Sequence, residues 1–218
     1  MSRPSDVSSL TLHRLSVYLR SLQRLQEKGV TEISSHELAR RFHLSPTQIR
    51  KDLAQFGEFG IRGVGYRVDH LEERLRSLLG LDSCRHMVLV GVGNLGRALL
   101  HHPGFNSSSF RFVGAVDSDP KKIGRRVGDL VVEPPEALPR LVERSTAEIG
   151  ILAVPADAAA ANAAALVAAG IRSILNFAPA RLPERPGVRT LHVDLRISLE
   201  ELGYFLLHTE RGSRRSTR

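Results

Sequence analysis

The residues of this 218-residue chain best suited to chemistry are Gly91-x-Gly93-x-x-Gly96, preceded by the apolar run Met87 to Val90 and followed by Ala98, Leu99 and Leu100. That order predicts a buried parallel strand, a tight turn and the first turn of a helix. Each glycine then has a separate role, namely the turn itself, close approach of backbone to a pyrophosphate, and close packing of helix on strand. Free N–H groups at the helix start add an anion site, so Gly91, Val92, Gly93, Asn94, Leu95 and Gly96 are expected to cradle a dinucleotide. A second apolar segment, Phe110 to Val116, ends in Asp117, 21 residues after Gly96. A carboxylate at that spacing accepts from the adenosine ribose hydroxyls and repels a 2′-phosphate, which favours NAD(H) over NADP(H). Lys121, Lys122, Arg125 and Arg126 follow and are taken as a solvated basic loop.

The elements that must position these residues continue the pattern. Short strands are expected at Gly128–Val132, Glu148–Val154, Arg172–Asn176 and Gly187–Val193, with helices at Pro135–Arg144 and from an Asp157 cap to Gly170. Such alternation predicts an α/β, Rossmann-like doubly wound parallel sheet over residues 86–195. Ligands sit beyond the strand C-termini of such sheets, so Pro155, Asn176, Phe177 and Ala178 are expected to wall the nicotinamide end. Ser198-x-x-Glu201 is expected to cap a final helix over 196–209 whose Leu199, Leu202, Phe205 and Leu206 pack on their own domain or dock on another subunit. Residues 210–218 are expected to be a disordered basic tail.

Ahead of this lies a different kind of sequence. Leu12, Leu15, Leu19, Leu22 and Leu25 recur at helical spacing before Gly29. Ser34-x-x-Glu37 caps a short second helix, and Ser45-Pro46 starts a third in which Ile49, Leu53 and Phe56 face inward. Thr47, Gln48, Arg50, Lys51 and Gln55 are left outside, a set suited to phosphates and base edges. A three-helix bundle with a solvated charged face has the same pattern. The glycine-punctuated segment 57–67 favours DNA binding, because it reads as a hairpin with Arg62 and Gly63 at its tip and Tyr66 at its base. An arginine on such a wing enters a minor groove. Residues 1–80 are therefore expected to be a winged helix-turn-helix domain, with the helix-turn-helix at 17–56, the wing at 57–67, a fourth helix capped by Asp69 and a linker at 81–85.

Charge agrees with this division. Residues 1–80 hold 13 basic and 9 acidic side chains, residues 81–208 hold 14 and 13, and the last ten hold 4 and 1. A near-neutral body with basic ends points to an acidic polymer as partner. One cysteine, Cys84, excludes an intramolecular disulfide and a multi-cysteine metal site; no metal is expected. An N-terminal signal-like run and a membrane-length apolar stretch are both lacking, so a cytoplasmic location is expected. Catalysis is not expected. Too little chain follows Asn176-Phe177 for a substrate domain, and none of Tyr18, Tyr66 and Tyr204 has lysine four residues on. Two other readings stay open: an NAD-dependent oxidoreductase with a basic appendage, and a regulator sensing a CoA ester.

Four segments together resemble the redox-sensing transcriptional repressor Rex family over nearly the whole chain: Gln48 to Tyr66, Val90 to Gly96, His102-Pro-Gly-Phe105 and Gly170 to Pro179. The resemblance implies a homodimer with each final helix swapped into its partner. It also implies repression at a palindromic operator of double-stranded DNA while NAD+ dominates, and release when NADH rises. By position it implies that Arg50, Lys51 and Arg62 contact DNA and that Gly91, Gly93, Asn94, Leu95, Gly96 and Asp117 hold NAD(H). It further implies that Arg14 and Asp194 form an ion pair across the dimer that reports the redox state. Where some members have a tyrosine bonded to that aspartate, this chain has His102, which titrates near neutrality and adds an expectation of pH sensitivity.

Overall fold

The structure, a computed structural model, describes residues 7–42, 44–57, 59–60 and 65–215, with side chains through residue 208. Arg62 and Gly63, expected at the wing tip, lie outside the described residues. The chain divides into two units, Met1–Ser83 and Cys84–Arg218.

In the first unit, α1 (Ser9–Glu27) starts where the Ser8 hydroxyl accepts the Thr11 N–H at 3.1 Å. Leu15, Tyr18, Leu19, Leu22 and Leu25 form its buried face. Leu12, assigned to that face by spacing, is exposed. The helix packs along α4 (Val68–Leu78), while α2 (Ser35–Phe42) packs on α3 (Pro46–Ala54). Serine caps both short helices: Ser34 Oγ accepts the Glu37 N–H and Ser45 Oγ the Gln48 N–H, each at 3.1 Å. Asp69 does not cap α4. That helix already begins at Val68, and Asp69 in its first turn accepts from the Arg67 guanidinium and the His70 N–H. The middle of the segment 57–67 lies outside the described residues, and its two ends meet: a Cβ on Gly60 would lie 2.6 Å from the Gly65 carbonyl oxygen. Its end, β2 (Tyr66–Arg67), runs antiparallel to β1 (Glu32–Ile33). Gly65, at φ +122°, permits this, because a Cβ there would lie 2.6 Å from the Ile33 carbonyl oxygen.

One charge lies inside this apolar unit. Asp52, on α3, is fully buried. Its Oδ2 accepts from Arg14 Nε at 2.6 Å and Tyr18 Oη at 2.9 Å, and its Oδ1 from Arg14 Nη2 and Gln48 Nε2, each at 2.8 Å. Burial alone would raise this carboxyl, but the bonds from Arg14, Gln48 and Tyr18 outweigh it and hold it below the usual carboxylate range. Burial and the same carboxylate push the Tyr18 phenol up.

The second unit is a seven-stranded sheet in the order β5-β6-β4-β3-β7-β8-β9. Its strands are β3 (Arg85–Val90), β4 (Phe110–Val116), β5 (Arg126–Val127), β6 (Leu130–Glu133), β7 (Ile149–Leu152), β8 (Ser173–Asn176) and β9 (Arg189–His192). All neighbours are parallel except β5 and β6, which form an edge hairpin across Gly128-Asp129. Strand β5 has no apolar run to announce it. The central strand is buried on both faces: Val88 and Val90 pack with α6 (Leu138–Ser145) and α7 (Ala156–Ala168), while Met87 and Leu89 pack with Leu99 and Leu100 of α5 (Asn94–His101).

Three expected boundaries move. Pro135–Ala137 is a 3-10 turn ahead of α6, because Pro134 and Pro135 restrict the entry. Asp157 lies inside the first turn of α7, whose cap is Pro155. The final helix, α8 (Leu195–Arg215), begins before Ser198, with Asp194 Oδ1 accepting the Arg196 N–H at 2.9 Å. It also runs into the tail expected to be disordered, where residues 209–215 hold one glycine, no proline and three arginines, good helix formers. Its Leu195, Ile197, Leu199, Leu202, Tyr204, Phe205, Leu206 and Leu207 are all exposed.

Removing one partner of a buried pair strands the other, so Asp52→Ala should destabilise the first unit by about 3 kcal/mol. Hydrogen exchange of α1 and α3 amides in the full chain measures it. Because the folded-state pKa of Asp52 is depressed, its contribution is complete above the ordinary carboxylate range and fades as pH falls below it. The acid-induced loss of protection should be smaller in the variant.

Candidate functional site

Strand β3 has β4 on one side and β7 on the other, so the sheet reverses its winding there. A crevice opens at such a point beyond the strand C-termini. In this chain it is a cavity of about 340 Å³ between Val90, Gly91 and Gly93 after β3, Val116 to Asp119 after β4, and Ala153 to Pro155 after β7. Lys122, Pro135, Ala158 and Asn162 complete its wall.

The three glycines differ in what surrounds them. Gly91 turns at φ +96°, against the Ala153 carbonyl. A Cβ on Gly96 would fall on the Gly91 carbonyl oxygen, so only a glycine lets α5 sit this close to its strand. Around Gly93, at φ −79°, there is open space within 4 Å. A backbone N–H can therefore meet a bulky anion at that point.

Asp117 organises the opposite wall. It is nearly buried, and its Oδ2 accepts the Val92 N–H at 2.7 Å and the Lys122 ammonium at 2.9 Å, while Oδ1 accepts the Asp119 N–H at 2.8 Å. Burial opposes ionisation, but the Asp119 N–H, Lys122 and the Val92 N–H together hold the carboxyl below its usual range. Lys122 is thus part of the site and not of a solvated loop. Its separation from Asp117, five residues, was visible in the sequence; the loop geometry joining them was not.

Of the residues expected at the cofactor, Gly91, Gly93, Asp117 and Pro155 line the cavity. Val92 is buried and directs its N–H at Asp117. Asn94 and Leu95 are exposed in the first turn of α5, where Asn94 Oδ1 accepts from Arg97 Nη2 at 2.9 Å. Gly96 acts beneath the cavity, through packing. Asn176, Phe177 and Ala178 are not in its wall. Asn176 is fully buried and staples its own loop: Nδ2 donates to the Ala180 carbonyl at 2.9 Å and to His192 Nδ1 at 3.0 Å, and Oδ1 accepts the Ala178 N–H at 3.0 Å. Ala178 is buried beside it. Phe177 joins an aromatic group, 6.4 Å from the Phe105 ring, which stacks on Phe112 at 6.1 Å. His102 borders this group edge-on to Phe105 at 5.8 Å, and its Nδ1 accepts the Gly104 N–H at 3.0 Å. That bond places the ring proton on Nε2. No hydrogen bond joins His102 to Asp194 among the described residues.

Ser118, Asp119, Pro135, Ala158 and Asn162 went unread as wall residues. Those at 118 and 119 directly follow the strand-ending carboxylate, which is a usable signal. Beyond Asp157 in the first turn, Asn162 is the one polar residue of an alanine helix, and only the winding of α7 shows where it points.

In the first unit α3 presents Thr47, Arg50 and Lys51 to solvent, and Gln55, which follows it, is also exposed. Arg50 is braced by Ser35 Oγ at 3.0 Å and Thr47 Oγ1 at 3.3 Å. Lys51 has no partner among the described residues. Two of the residues singled out in the sequence make bonds within the unit that the sequence did not show. Gln48 is half-buried and turned to Asp52, because a buried carboxylate recruits every donor within reach. Arg14 is likewise engaged bidentately by Asp52 within the protomer. Tyr66 is half-buried against the core, and burial raises its phenol.

Comparison with known proteins agrees with this geometry. The profile of a family described as "CoA binding domain" matches residues 82–180, and that of "Putative DNA-binding protein N-terminus" matches residues 6–54. The redox-sensing transcriptional repressor Rex of Pelotomaculum thermopropionicum is 46% identical over 94% of this chain and 96% of its own length. Among solved structures, RSP in complex with β-NAD+ and operator DNA is 36% identical, with a TM-score of 0.89 over 95% of this chain and 96% of that one. RSP in complex with β-NADH is 35% identical, with a TM-score of 0.86 over 96% and 98%. The chain belongs to the Rex family of redox-sensing transcriptional repressors.

Proposed function

We propose that α3 places Arg50 and Lys51 on a palindromic operator and that the Gly91–Gly96 loop and Asp117 hold NAD(H). The protein is a DNA-binding repressor and not an enzyme: it binds its operator when NAD+ dominates and releases it when NADH rises. The observation that carries the site assignment is the open space at Gly93, which with Asp117 lines a switch-point cavity. Release requires that NADH bind the DNA-incompetent conformation more tightly, since a ligand shifts an equilibrium only through differential affinity. By linkage, DNA must weaken NADH binding by the same factor. The pyrophosphate end is alike in both redox states, so discrimination belongs to the nicotinamide end.

A palindrome calls for a two-fold dimer. The uncovered apolar side chains of α8 supply a surface for it, with each helix passing to its partner. Arg14 then has a second carboxylate in prospect, Asp194 of the partner, besides Asp52. No helix among the described residues is long and apolar enough to cross a membrane, and a repressor works where the chromosome is, in the cytoplasm. A CoA ester sensor would share the sheet and the glycine turn, and the description of the matched profile keeps that ligand worth testing.

Mobility shift on a palindromic operator should show release by NADH and not by NAD+, NADPH or acetyl-CoA; release by acetyl-CoA alone would replace the nucleotide assignment. Substituting Lys51→Ala should remove operator binding and leave NADH affinity unchanged, measured by NADH fluorescence. In Gly93→Val the side chain fills open space, so stability should stay within about 0.5 kcal/mol while NADH affinity falls. Gly96→Ala forces α5 off its strand and should cost about 1–3 kcal/mol, read as a lowered melting temperature.

A further inference from the structure

Gln48 lies in the first turn of α3, the part of a recognition helix that meets base edges. An unconstrained carboxamide there pairs with adenine through both of its groups, donating to N7 and accepting from N6. Gln48 is not unconstrained. Its Nε2 donates to Asp52 Oδ1 at 2.8 Å, and that carboxylate is fully buried and fixed by Arg14 and Tyr18.

The orientation of the amide follows from chemistry. A carboxylate bonded to a guanidinium has only lone pairs to offer, so the amide nitrogen must face it and Oε1 must face away. Turning the amide over would set oxygen against a buried carboxylate oxygen, which costs more than the one bond it breaks. Gln48 Oε1 has no partner among the described residues. It is an acceptor held ready at the surface of the reading helix.

We propose that Asp52 is a positioning residue that fixes Gln48 as a hydrogen-bond acceptor toward DNA. At one position of each half-site this chain thereby selects a base with an exocyclic amine in the major groove, adenine or cytosine. The inference rests on operator binding through α3. In the major groove adenine N6 and cytosine N4 donate, whereas guanine N7 and O6 and thymine O4 accept. An oxygen facing those acceptors leaves two lone-pair sets opposed, so discrimination is against guanine and thymine as much as for the amines.

The test begins by selecting operators for the wild-type full chain from random-sequence duplexes in the presence of NAD+, then measuring affinity for every symmetric single-base substitution of the selected half-site. Gln48→Ala should lose preference at one position only, and there the wild type should favour adenine or cytosine roughly tenfold. Asp52→Asn supplies a readout that a merely structural role would not move. Its remaining oxygen keeps Arg14 Nε and Tyr18, while its amide nitrogen, at the cost of the bond from Arg14 Nη2, now donates to Gln48 Oε1 and turns that carboxamide over. Folded Asp52→Asn protein, checked by circular dichroism, should prefer guanine or thymine at the same position.

The proposal is overturned if Gln48→Ala changes no position, if the position it affects had selected guanine or thymine, or if folded Asp52→Asn retains the amine preference. A wild type that enriches no sequence, or a Lys51→Ala variant that binds as well as wild type, overturns operator binding through α3 and this inference with it.

Discussion

A carboxylate removed from water must find donors in every direction, and each unit of this protein contains one. An unpaired ion in such a place costs several kcal/mol, so the segments around it are held to positions that supply N–H or O–H groups. Around Asp52 the donors come from α1 and from the preceding turn of α3, which ties the two helices together. Around Asp117 they come from the glycine loop after β3 and from the loop after β4, which ties the two walls of the cavity. The two aspartates do the same physical work in unrelated folds. Each holds together parts that would otherwise be joined only by chain connectivity.

The cavity depends on a second constraint, that of backbone against backbone. The Gly91 carbonyl lies where a side chain on residue 96 would be, and its own turn runs along Ala153. Neither strand nor helix can yield there, so the N-terminus of α5 is fixed relative to β7 before any ligand arrives. Gly93 alone is left with room. Two glycines are needed by the fold, while the third borders the cavity with open space around it, a difference within six residues that composition does not reveal.

What could be read from the sequence was whatever is periodic or locally capped. The apolar runs that became β3, β4, β7 and β8 stood out, as did the serines that start α2 and α3. Side chains whose role is set by distant partners could not be read. Gln48 and Arg14 look like surface residues until Asp52, 4 and 38 residues away, is found to be buried between them. Asn176 sits at the C-terminus of a central strand, where a ligand contact is the natural expectation. Only the fold of the loop to Ala180 and the register of β9 show that its hydrogen bonds are already made. Lys122 was hidden by its neighbours, since a run of four cations in six residues reads as a solvated loop.

Helix α8 carries an implication for the protein's economy in the cell. Large apolar side chains are exposed from Leu195 to Leu207, and an isolated helix is marginal in water however regular its sequence. In the proposed dimer a second copy covers that surface, and ordering of the helix then obeys mass action. The number of copies of this repressor then becomes a variable alongside the nucleotide ratio. A cell making too few would hold chains with an uncovered, aggregation-prone end, while one making enough would hold a finished regulator. A gene product of this kind works above a threshold of expression, set by the apolar area of one helix.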